Sequence, residues 1–214
     1  TGLAAGATAQ TTVTVSNPGH VDATATQTGT SLPNGTAPTA SDVTRTADGF
    51  TFTIELEPGV TYTVTSAAGT VVLDGNTVTV TGLDSGASTT VTITASKPGA
   101  LDATTDVSGS ALLAGIAPTF STPVSTTAGF TVTITNFDAA FSYELITTAG
   151  AVTRTGSELT IAGLAPSASA VVHVVATRSG YQSAGSSVTG QALTPVPVPA
   201  PVVQPSTPTT PEPS

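Results

Sequence analysis

Apolar residues alternate with threonine or serine at period two along most of the chain, and no stretch carries the spacing of an amphipathic helix. Phe50, Phe52, Ile54 and Leu56 fall on one side of a strand, with Thr51, Thr53, Glu55 and Glu57 on the other. Further inward positions follow as Tyr62 and Val64, then Val71 and Leu73, then Val78 and Val80 closed by Leu83. Val91, Ile93 and Ala95 make the next run, and a weaker strand lies around Asp102–Gly109. Between the runs stand turn formers: Glu57-Pro58-Gly59, Ala68-Gly69, Asp74-Gly75-Asn76, Asp84-Ser85-Gly86 and Lys97-Pro98-Gly99. With an opening strand after Pro38, the pattern predicts about seven short strands, an antiparallel sandwich.

The pattern repeats. Thr1–Ala40 lies over Thr81–Phe120 without a gap, sharing Thr-Gly-Leu, a Pro-Gly turn, Asp-Ala-Thr and Ala-Pro-Thr, and a further copy opens near Gly163-Leu164. Such repetition predicts tandem modules. Residues 1–34 read as the C-terminal half of a module, 35–114 and 115–193 as complete modules, and 194–214 as an extended Pro-rich tail. From Gly49-Phe50 to Gly129-Phe130 the shift is 80, but from Tyr62 to Tyr143 it is 81, which puts one inserted residue in the Phe137–Ala140 loop. Half of the sixteen prolines fall in the tail, excluding a ladder strand there and favouring polyproline II. Alone, the half-module would present Leu3, Val13 and Val15 and unpaired edges. It is to be completed either by residues upstream in a longer precursor or by another copy of the chain, the second giving head-to-tail assembly in which the tail helps join subunits.

Composition narrows function more than fold. The 214 residues carry 13 acidic and 4 basic side chains, a net charge of −9. So few cations give no footprint for nucleic acid. Cysteine is absent, which removes disulfides, thiolate metal sites and thiol chemistry. No run of about eighteen apolar residues occurs, so no membrane insertion is expected within this chain.

Each module resembles a bacterial fibronectin type III or immunoglobulin-like repeat. The resemblance rests on Ala-Pro-Thr (37–39 and 117–119), on Tyr62 and Tyr143 opening the third strand, and on Gly-Leu followed by a turn and a β run (82–95 and 163–176). Two departures stand out: Thr89 and Ala170 replace the tyrosine that follows that turn in the family, and the strand-two tryptophan is missing. The resemblance implies an all-β fold of tandem seven-stranded immunoglobulin-like sandwiches. It also implies an extracellular or bacterial cell-surface setting and a non-enzymatic role as the repeat of an adhesin, stalk or filament. Partners would then be other copies, surface proteins or glycans. The alternatives are an accessory region of a secreted carbohydrate-active enzyme, or a phage or virion decoration protein. Sugar binding would call for exposed aromatic rings, and Tyr181 is the main candidate.

Candidate chemistry is sparse. Catalysis needs acid, base or nucleophile groups converging in a pocket, whereas His20 and His173 lie in different modules and both read as surface residues. Calcium needs several convergent oxygens, whereas Asp22 and Asp102 find Ser183 at the matching position of the last module. Lys97, the only lysine, sits in a turn, and Asn34-Gly35-Thr36 is a formal glycosylation sequon. No catalytic, cofactor or metal residue is therefore assigned. One contrast between modules does point to a surface. Where the first complete module has Thr65, Thr90 and Thr94 facing outward, the second has Ile146, Val171 and Val175, a candidate interaction surface.

Overall fold

The structure is a computed structural model that describes residues 2–194; the tail from 195 onward, with its expected extended conformation, lies outside the described residues. Every regular element among them is a β-strand. The chain divides into two compact units. Among the described residues, the first runs to Gly115 and includes Arg178–Gln182; the second takes Ile116–Thr177 and 183–194.

In the first unit, β1 (Thr8–Val15) and β2 (Ala23–Thr30) form a two-stranded antiparallel sheet. Seven strands then build a sandwich: β3 (Thr44–Thr46), β4 (Gly49–Thr53), β5 (Thr61–Ser66), β6 (Thr70–Asp74), β7 (Thr77–Thr81), β8 (Ser88–Ser96) and β9 (Ala103–Ser110). One sheet has the order β3-β4-β7-β6 and the other β5-β8-β9. That four-plus-three arrangement is the constant-type immunoglobulin order, in which the first, second, fifth and fourth strands face the third, sixth and seventh. The second unit repeats it with β10 (Val124–Thr126), β11 (Gly129–Thr133), β12 (Ser142–Thr147), β13 (Ala151–Thr155), β14 (Glu158–Ala162), β15 (Ser169–Thr177) and β16 (Ala184–Gln191). Its sheets run β10-β11-β14-β13 and β12-β15-β16. The fold is an all-β, antiparallel immunoglobulin-like sandwich, present twice.

Local sequence explains these elements. Asp74 pairs with Thr77 across Gly75-Asn76, and Thr155 with Glu158 across Gly156-Ser157. Both glycines have positive φ, 58° and 59°, as a two-residue hairpin with glycine first demands. The opening strand is split: Ala40 and Phe120 make single bridges to Ile54 and Ile134 before β3 and β10 begin. Ser41 and Ser121 hold the split, their hydroxyls accepting from the amides of Thr53 (2.9 Å) and Thr133 (3.0 Å). Thr105 Oγ1 donates to the Pro38 carbonyl and Ser186 Oγ to that of Pro118, tying the opening segment to the last strand of each sandwich.

Each sandwich encloses its own core. Phe50, Phe52, Val78, Val80, Val91 and Ile93 are buried in the first, and Phe130, Val132, Leu159, Ile161, Val172 and Val174 in the second. Burying each such side chain contributes about 1.5–3 kcal/mol. Phe50 lies across Gly109 of β9, and Phe130 across Gly190 of β16; a Cβ on either glycine would fall inside the ring's van der Waals radius. Two expectations need correcting. Leu56 is 49% exposed rather than inward, because β4 ends at Thr53 and the chain leaves the sheet after Ile54. Tyr181 is half-buried rather than an open platform: it bridges to Leu113, and the Arg178 guanidinium lies 5.2 Å from its ring centre.

Candidate interaction surface

β12, β15 and β16 bring the outward residues of the second sandwich into rows. Ile146 pairs with His173, and His173 with Ser187; Glu144 pairs with Val175, and Val175 with Gly185; Val171 pairs with Thr189. Period-two alternation sends Val172, Val174 and Ala176 into the core and leaves Val171, His173 and Val175 facing out. Ile146 is 57% exposed, while Val171 and Val175 are half-buried. The structure thus places the three aliphatic residues on one face, around His173.

Sequence reading set His173 aside as an ordinary surface residue. It is exposed, but it occupies the centre of this face, its Nδ1 2.9 Å from Ser187 Oγ. The ring lies over Gly185, where a Cβ would stand 3.2 Å from Cε1 and Nε2. The signal that could have found this was joint replacement: Thr92, Asp106 and Thr104 of the first module become His173, Ser187 and Gly185.

The matching face of the first sandwich is polar and knit together. Thr92 Oγ1 donates to Asp106 Oδ1 at 2.7 Å, and the hydroxyls of Thr90 and Ser108 are 2.8 Å apart. Core needs do not explain the difference, because both inward faces are apolar and buried.

The other candidates do not converge. His20 is exposed in the turn after Pro18-Gly19. Among the described residues no group of three or more His, Cys, Asp or Glu is placed to hold a metal ion. Asp102 accepts from Ser96 Oγ at 2.7 Å, the bond of a turn rather than of a ligand set. A cleft of 310 Å³ is lined by Glu57, Tyr62, Lys97 and Leu101 among others. Its phenol serves structure: Tyr62 Oη accepts from the Glu57 amide at 3.1 Å, just as Tyr143 Oη accepts from Asp138 at 3.0 Å. Arg154 lies 5.4 Å from the Phe137 ring centre and 5.5 Å from that of Tyr143, so the inserted loop of the second sandwich is capped by a stacked pair and a cation. No helix among the described residues is long and apolar enough to cross a membrane.

No family model and no curated protein matches the chain. Among solved structures it is similar to the central fibronectin-III array of RIM-binding protein, at 16% identity and a TM-score of 0.29, over 78% of this chain and 74% of that one. It is also similar to the extracellular cadherin domains 3–6 of protocadherin gamma B2, at 14% identity and a TM-score of 0.28, over 88% of this chain and 57% of that one.

Proposed function

We propose that the chain is a non-enzymatic structural protein of an extracellular or cell-surface setting, whose sandwiches act as spacers in an adhesin, stalk or filament. Its second sandwich binds a partner through the Ile146–Val171–Val175 face. The observation that carries this reading is the exchange of three threonines, Thr65, Thr90 (bonded to Ser108) and Thr94, for three aliphatic side chains on an outward sheet face, over cores of the same kind. Exposed apolar patches mark interaction sites more often than they serve folding. The partner is a second copy of the chain or another surface protein.

Replacing Ile146, Val171 and Val175 together by threonine restores the first sandwich's residues. Threonine suits an exposed strand as well as valine does, so each exchange is expected to change stability by no more than about 0.5 kcal/mol. Association, followed by analytical ultracentrifugation and by capture of surface proteins, is expected to weaken at least about tenfold, or roughly 1.4 kcal/mol. Association unchanged beside a large loss of stability would show that the three residues serve the fold instead.

A further inference from the structure

The sheet of β1 and β2 has the register of β8 and β9, residue for residue. Ala9 pairs with Gly29 as Thr89 pairs with Gly109, and Val13 pairs with Ala25 as Ile93 pairs with Thr105. Its connections match too. Gly6 N donates to Leu32 O at 3.0 Å and Ser31 N to Ala7 O at 2.9 Å, as Gly86 does to Leu112 and Ala111 to Ala87. Yet every residue of β1 and β2 is exposed, whereas alternate residues of β8 are buried.

In the two sandwiches this face is covered by the opposite sheet, and one short segment of that cover grips at three points. In the first, Thr46 O accepts from Leu112 N (2.9 Å), Asp48 O accepts from Leu83 N (2.8 Å), and the Phe50 ring lies on Gly109. In the second, Thr126 O accepts from Leu193 N (2.9 Å), Ala128 O from Leu164 N (2.9 Å), and Phe130 lies on Gly190. The covering segment is thus Thr-x-x-Gly-Phe both times, Thr46–Phe50 and Thr126–Phe130.

All three receptor residues recur on the β1–β2 sheet. Leu3 and Leu32 stand where Leu83 and Leu112 do, each 49% exposed, and Gly29 stands where Gly109 does, with nothing within 4 Å of the place its Cβ would take. Other inward positions have drifted: Thr11 replaces Val91, and Gln27 replaces Val107. A glycine inside a strand weakens it and marks close approach by another group. Val13 and Val15, 57% and 65% exposed, extend the apolar face beside it.

We infer that the β1–β2 face is a docking site for a Thr-x-x-Gly-Phe turn and strand of this same repeat type, one not already seated in a sandwich of its own as Thr46–Phe50 and Thr126–Phe130 are. Gly29 seats the incoming ring, and the amides of Leu3 and Leu32 take the two carbonyls. This inference goes beyond the proposed role and does not depend on the Ile146 face.

The test grafts a second copy of residues 35–80 directly ahead of Thr1 in the full chain, the spacing at which residues 35–80 precede Thr81. Amide hydrogen exchange is then read in β1 and β2. Exchange there is expected to slow at least about tenfold relative to the ungrafted chain, because a lone two-stranded sheet protects poorly. Gly29→Leu in the graft is expected to return the rate to the ungrafted level while β8 and β9 keep theirs, since the new side chain occupies the ring's seat and clashes with nothing in the sheet itself. Exchange in β1 and β2 unaffected by the graft, or slowed equally in the graft that carries Gly29→Leu, would overturn the inference.

Discussion

Replacing Phe130 by alanine is expected to remove about 3–5 kcal/mol from the second sandwich. Phe130 is wholly buried between the two sheets, and its ring rests on Gly190, a position whose missing side chain exists to admit it. Truncation leaves a ring-sized void, and the glycine beneath offers no atoms to fill it. A domain of this size has roughly 0.05–0.15 kcal/mol of stability per residue, so the loss takes much of the margin. Urea unfolding, followed by circular dichroism, is expected to show the second sandwich melting far earlier while the first keeps its midpoint. Phe50→Ala should do the reverse, since Phe50 seats on Gly109 in a separate core. A loss below about 1 kcal/mol in either variant would show that the ring is not central to the packing.

The other large effect comes from adding a single methyl group. Gly49 and Gly129 open β4 and β11, and a Cβ on either would collide with a backbone carbonyl, that of Val80 or of Ile161. A carbonyl held in a strand ladder cannot rotate away as a side chain would, so the strands must separate. Gly129→Ala is expected to cost about 3 kcal/mol or more, at the upper end for overpacked sites. Gly29→Ala, in a strand with open space above it, is the control and is expected to be neutral or slightly stabilising. Equal midpoints for the two variants in thermal unfolding would refute the argument from close approach.

Much of this fold was legible because alternation with turn punctuation has few other readings. Phe50, Val78, Val91 and Ile93 lie inward as the pattern places them, and the shift from 80 to 81 falls between β11 and β12. Leu56 misled because alternation continues on paper after the strand has ended; periodicity has no knowledge of where hydrogen-bonded partners run out. The role of Gly109 and Gly190 was also hidden. A glycine shows in sequence as a turn former, and only the Phe50 and Phe130 rings reveal these two as seats. For the candidate surface, Ile146, Val171 and Val175 could be placed by strand alternation alone. Alternation also turns His173 outward, but its place at the centre of the face depends on the pairing that sets it between Ile146 and Ser187.

The central claim is that each repeat is a self-contained sandwich with its own core, so that the chain's role is one of repeated structure. Residues 35–114 and 115–193, produced separately, test it most directly. Each is expected to give a β-rich circular dichroism spectrum and one cooperative urea transition, at the midpoint it has in the full chain. A segment that is unfolded alone, or that melts cooperatively only when joined to the other, would contradict the claim.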